Sequence, residues 1–189
     1  MVRTIVNTCT HQVCEAKHVG NLVPKLPRKY KVRNCLTPTS AVQSVLMNLK
    51  VQIQHILEQG YLLSLASVDG GGPWVSDLIY TFDDEVNIYW ISRPEFRHSK
   101  AFITNPRGAG AITTVEKPLG KGMGIQLEGT VIVLAQIPKD ALARYTQKRS
   151  GKTSWELEPG EAWYKLTPTS IDIINEPEYG FVKKNLRLR

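Results

Sequence analysis

The chain has 189 residues, of which 42% are hydrophobic, 22% charged and 8% aromatic. That length suits one domain with a self-sufficient core, and the composition excludes collagen-like, wholly disordered and disulfide-scaffold chains. The net charge of +7 sits entirely in the first 50 residues, where eight Lys/Arg face Glu15 alone, while the rest holds 16 basic and 16 acidic side chains. A nucleic-acid-binding body is therefore disfavoured, because phosphate contacts need a basic excess on the binding surface.

Residues 1–38 show neither helical nor alternating periodicity and are punctuated by Pro24, Pro27 and Pro38. They are expected to form a disordered basic tail, with translation from Met47 as the alternative. No apolar run of the kind a signal peptide needs precedes the body. All three cysteines, Cys9, Cys14 and Cys35, lie here. An odd number of cysteines outside the body gives no disulfide framework, so a reducing cytoplasm is the expected location. Cys9, His11, Cys14 and His18 could be imagined as metal ligands, but their spacing matches no zinc knuckle, and no metal is expected.

The body is expected to run from 39 to 189. Thr37-Pro38-Thr39-Ser40 is a good helix start, and Val42, Val45, Leu46, Leu49, Ile53, Ile56 and Leu57 follow one helical face until Gly60. The period then changes to two. Tyr61–Val68 and Trp74–Phe82 read as strands around a glycine-rich hairpin, and Val86–Ser92 as the next strand after Asp83-Asp84-Glu85. A short helix is expected over Ser99–Thr104, ending at Asn105-Pro106. Strands Ala109–Val115 and Ile125–Leu134 follow, separated by a Gly- and Lys-rich loop over Glu116–Gly124. Pro138–Arg149 reads as a helix, and Trp163–Leu166 with Ile171–Ile174 as a last strand or pair of strands. Five or six short strands joined by hairpins, with two or three helices, predict a small antiparallel barrel. No apolar run approaches the roughly 20 residues of a membrane span.

Few constellations carry chemistry. Gly120-Lys121-Gly122-Met123-Gly124 precedes a strand instead of opening a helix, so neither a dinucleotide fingerprint nor a P-loop is present. Only two histidines, His55 and His98, and no cysteine occur in the body, and no nucleophile elbow is found. Arg97-His98-Ser99-Lys100 places three potentially cationic groups at the mouth of a short helix, an arrangement suited to a phosphate.

From about Val51 onward the chain resembles the pyridoxamine 5′-phosphate oxidase-like FMN-binding split barrels, in particular a small bacterial branch of them. The segments that carry the resemblance are LLSLASVDGGGPWVSDLIYTFDDEVNIYWIS, FRHSKAFITNPRGAGAIT, GIQLEGTVIVL and YGFVKKNLRLR. It implies a mainly β (α+β) fold, a six-stranded antiparallel split barrel with two or three flanking helices. It also implies FMN as cofactor, a homodimer, and hydride transfer at flavin N5 to or from an unidentified small substrate. Arg97 and His98 fall where the family has its phosphate-binding Arg-Lys, and Lys100 follows in the same segment. Histidine in place of lysine would make that charge depend on pH. Ser76, Asp77 and Leu78 fall on the strand that meets the ring and ribityl groups, Trp90 and Ile91 on a cofactor-facing pair, and Gln126 on a cofactor-reaching glutamine. Ser76 and Thr81 stand where the oxidase proper has Arg and Lys, so an FMN-dependent oxidoreductase other than pyridoxamine phosphate oxidase is expected, with no catalytic residue assigned. The alternative is a binding module of the same barrel that holds haem, a deazaflavin or another anionic ligand.

Overall fold

The structure is a computed structural model and describes residues 40–115, 122–150 and 155–188. The expected tail over 1–38, with its cysteines and His11 and His18, lies outside them, as does most of the 116–124 loop.

Among the described residues the elements run α1 (Ser40–Gln59), β1 (Leu62–Asp69), β2 (Gly72–Phe82), β3 (Ile88–Ser92), α2 (Arg97–Thr104), β4 (Arg107–Val115), β5 (Gly122–Leu134), α3 (Lys139–Ser150), β6 (Ala162–Asn175), α4 (Glu176–Tyr179) and β7 (Lys184–Arg187). The strands pair in the order β3-β2-β1-β4-β5-β6-β7, and a further β3–β6 pairing closes six of them into an antiparallel barrel. Strand β7 is an addition outside the closed ring. It pairs with Ser170–Ile173 of β6, beyond the Ala162–Leu166 stretch that β3 occupies. The expected six-stranded antiparallel barrel is thus what forms, with β7 and the single turn α4 as additions to it. Where two strands were conceivable near the C-terminus, β6 is one continuous strand.

Alternation along the strands explains the closure. Leu63 and Leu65 of β1, Ile88 and Trp90 of β3, Ile125 and Leu127 of β5, and Leu166, Ile171 and Ile173 of β6 all point into one buried cluster. Ile53, Ile56 and Leu57 of α1 cover it, each almost fully buried. Earlier on the same helix Val45, Leu46 and Met47 are exposed. The outer face of β3 builds a second cluster, in which Tyr89 and Trp163 meet Ala141 and Tyr145 of α3. Thr81 Oγ1 pins that helix by donating to the Ala141 carbonyl at 2.8 Å.

Two backbone details shift the expected boundaries. Strand β3 starts at Ile88, two residues later than the alternation suggests, because Val86 has a φ of 62°. That region is costly for a β-branched side chain. The side chain is nevertheless buried, and Asp83 holds the turn by accepting from the Asn87 N–H at 2.9 Å and the Tyr89 hydroxyl at 2.6 Å. In β5 a bulge at Glu128/Gly129 shifts register against β6, and Gly129 lies so close to the Thr167 carbonyl that no Cβ fits there. No described helix is long and apolar enough to cross a membrane.

Candidate functional site

The β1–β2 hairpin turns through Gly70 and Gly71, with Asp69 paired opposite Gly72. This brings Asp69 beside the first residue of α2, 28 positions later in the chain. Arg97 donates from Nε to Asp69 Oδ2 at 2.7 Å and from Nη2 to Asp69 Oδ1 at 2.9 Å. Its guanidinium lies 4.5 Å from the centre of the Trp74 ring, on the strand that leaves the hairpin. The Gly71 N–H also donates to Asp69 Oδ1, at 2.8 Å. The Arg97 hydrogen bonds, then that amide, hold the Asp69 carboxyl down at about 2. A Cβ on Gly71 would stand 2.9 Å from Arg97 Nη2 and 3.2 Å from Asp69 Oδ1, so a larger residue there would crowd the ion pair.

The next residue faces the other way. His98 is buried, with Nδ1 3.1 Å from Ser76 Oγ and Nε2 2.8 Å from Ser92 Oγ, and Ser92 Oγ is in turn 3.0 Å from Ser99 Oγ. Burial pushes the His98 pKa down from its ordinary value. A pKa below the ordinary histidine value leaves the ring mainly neutral near pH 7, with each nitrogen facing a hydroxyl. The pH-dependent charge expected at this position is shifted to more acid pH, and the ring sits in a hydrogen-bonded network.

Lys100, one turn further along α2, is exposed. It lines a shallow cavity of about 290 Å³ with Asp69, Glu95, Arg97, Ala101 and Thr104. Two formal positive charges face two negative ones across this space. Phe96, the residue before α2, gives the first turn of the helix no side-chain cap among the described residues, which leaves the orphan amides of a helix start to other partners.

The structure thus brings Arg97, His98, Lys100 and Ser76 together at one end of the barrel. Asp77 is exposed on the same strand and accepts from Ser64 Oγ at 2.6 Å, while Leu78 packs half-buried against the core. Trp90 stands apart from the surface. Its side chain is fully buried, with its ring stacked 5.7 Å from Tyr164, and its Nε1–H has no hydrogen-bond partner among the described residues. Ile91 is half-buried in the cluster beneath α3, and exposed Gln126 accepts from Lys183 Nζ through Oε1. Asp69, Trp74, Ser92 and Ser99 were not picked out from the sequence. The Gly-Gly turn was a visible signal for a tight hairpin, but nothing local tied it to a helix 28 residues away.

No family model matches the chain. UPF0306 proteins of Yersinia pseudotuberculosis and Yersinia pestis are 27% identical over 112 residues, covering 56% of this chain and 76% of theirs. Among solved structures, General Stress Protein 26 of Bacillus anthracis aligns over 75% of this chain and 100% of its own at 18% identity, with a TM-score of 0.54. A heme binding protein of Mycobacterium smegmatis aligns over 73% of this chain and 57% of its own at 14% identity, with a TM-score of 0.59. A provisionally assigned pyridoxamine 5′-phosphate oxidase of Listeria innocua aligns over 67% and 98% at 22% identity, with a TM-score of 0.53. At these identities the likeness to the three structures establishes a shared fold.

Proposed function

We propose that this protein binds FMN at the end of the barrel where α2 meets the β1–β2 hairpin, and that it acts as a cytoplasmic flavin-dependent oxidoreductase on a small substrate. The observation that carries this reading is the joining of Arg97, Lys100 and the uncapped start of α2 at one shallow cavity, with the half-buried Ser76 hydroxyl on the adjacent strand. That donor set suits a phosphate monoester: one planar guanidinium, one mobile ammonium and a helix amide end. Anchorage falls to Arg97 and Lys100, because His98 is neutral and serves to orient Ser76. Ser76, Asp77 and Leu78 form the strand segment proposed to meet the ring system, with Ile91 and Gln126 as further contacts. Trp90 can offer only main-chain atoms, since its side chain fills the core.

Bound FMN would accept or donate the hydride itself, and the chain would supply orientation, anchorage and exclusion of water. No acid–base pair is then required, in keeping with a site built from one ion pair and a serine–histidine network. A homodimer accompanies this reading. Trp74, Val75, Ile132 and Val133 are exposed apolar side chains that a partner copy could cover.

A haem-holding module of the same barrel is the second reading, prompted by the Mycobacterium smegmatis protein. It needs an axial ligand, and both ring nitrogens of His98 are engaged by serines, which counts against it. The visible spectrum decides. Protein mixed with FMN and passed through gel filtration should keep a flavin spectrum that denaturation releases, and Arg97→Ala should weaken retention by about tenfold or more. A Soret band would favour haem, and a colourless protein would remove the flavin reading.

A further inference from the structure

The anion-binding fork of this site is already occupied by the chain itself. Of the two edges by which a guanidinium makes bidentate contact, Asp69 takes both hydrogen bonds of the Nε–Nη2 edge of Arg97, at 2.7 and 2.9 Å. The contact does not come from chance proximity of two free side chains. Asp69 is the last residue of β1, its carboxylate is steadied by the Gly71 N–H, and the guanidinium is backed by the Trp74 ring. The carboxylate is carried on a hairpin whose tip is Gly70-Gly71, with Gly72 at a φ of 95°. Such a tip has the backbone freedom to move away without dragging a side chain through the cavity. Both side chains are partly open to solvent, with 37% and 26% of their surface accessible, so the pair is exchangeable and not a sealed core contact.

We propose that Asp69 is an internal competitor for the phosphate anchor: its carboxylate sits in the Arg97 fork until a ligand anion displaces it, and it thereby sets how strongly the site distinguishes a phosphorylated ligand from its dephosphorylated form. The inference rests on reading this end of the barrel as the phosphate end of an FMN site. Its physical content is a population shift. The apparent affinity for the phosphate is the intrinsic one reduced by the fraction of time the fork is free, so removing the competitor raises affinity by that factor. The cavity holds one other cation, Lys100, opposed by Glu95, so the positive charge left over for a phosphate turns on whether the Arg97 fork is free.

The test compares FMN with riboflavin, which shares the ring but lacks the phosphate, by quenching of flavin fluorescence in the full chain at low salt. Wild type should favour FMN by about the tenfold that Arg97→Ala removes. Asp69→Asn, which keeps an acceptor for the Gly71 amide but loses the charge, should bind FMN about threefold to tenfold tighter and riboflavin unchanged. Asp69→Ser is the second variant should Asn perturb the hairpin, and Arg97→Ala should abolish the distinction between the two flavins. The proposal is overturned if Asp69→Asn weakens FMN as much as Arg97→Ala does, for Asp69 would then position the guanidinium instead of competing for it. It is equally overturned by an unchanged ratio. Should no variant bind either flavin, the FMN reading fails by itself. Inorganic phosphate, followed through the Trp74 indole N–H resonance, then still reports whether losing the Asp69 charge strengthens anion binding at Arg97.

Discussion

His98 illustrates how one side chain can change role between chain and fold. A neutral imidazole donates from one nitrogen and accepts at the other, so of Ser76 and Ser92 one receives a proton from the ring and the other gives one. Reversing the tautomer reverses both, which ties the orientation of the Ser76 hydroxyl to the buried Ser92–Ser99 pair. Because burial lowers its folded pKa below the unfolded value, the unfolded state binds the extra proton first as pH falls. The stabilisation is present above the ordinary histidine range and is lost as pH drops through it. Thermal unfolding should therefore occur at lower temperature at pH 5.5 than at pH 7.5, and His98→Gln should flatten that difference. A slope that survives the substitution would place its origin elsewhere. Asp69 follows the same sign at more acid pH: its carboxyl, held at about 2, contributes stability above the usual carboxylate range and loses it as pH falls toward that value.

At the scale of elements, the junction of α1 with the barrel is held by two residues from distant strands and helices. The Tyr80 hydroxyl on β2 lies 2.7 Å from the Leu57 carbonyl and 3.2 Å from that of Gly60, and Lys148 Nζ on α3 donates to the same Gly60 carbonyl at 2.9 Å. These are among the carbonyls that a helix end leaves without an internal partner. Lys148 also lies 3.8 Å from the centre of the Tyr80 ring, so one cation caps the helix and covers the aromatic at once. Burial brings the Lys148 pKa down to about 8. Tyr80→Phe should cost about 1–2 kcal/mol in denaturant unfolding, since it strips a buried carbonyl of its donor. Gly60→Ala should cost more, because its Cβ would enter the space of Ile112 and of the Tyr80 hydroxyl. If the two substitutions rank the other way, the contact of α1 with the barrel is looser than drawn.

For the whole molecule, the decisive pairing is β3 with β6, which joins residues 88–92 to 162–166 and turns an open sheet into a barrel. Long-range closure of this kind contributes packing on both sides of the seam. Trp90 stacks on Tyr164 inside it, with Phe102 of α2 tilted 6.3 Å away. Trp90→Ala should therefore cost about 3–5 kcal/mol of stability, read by chemical denaturation. Loss of the phosphate anchor is a separate quantity, and FMN retention at temperatures where the variant stays folded should be far less affected than by Arg97→Ala. The proposed homodimer belongs to this scale too, and sedimentation at twice the monomer mass is the expected result.

Much of the architecture was legible in the chain because local periodicity and burial agree. Leu63, Leu65 and the other alternating strand residues face one core, and the face of α1 ending in Ile53, Ile56 and Leu57 packs as its spacing requires, although Val45, Leu46 and Met47 earlier on it stay exposed. The cluster of Arg97 and Lys100 at a helix start was likewise visible, because it depends on neighbours in sequence. What the tertiary structure alone decided is the electrical state of that cluster. Asp69 comes from a hairpin 28 residues earlier and neutralises Arg97, while Ser76 and Ser92 reach His98 from two different strands and keep it uncharged. The physical reason is that periodicity is a property of consecutive residues, whereas the charge of a buried or paired group depends on what folding carries next to it.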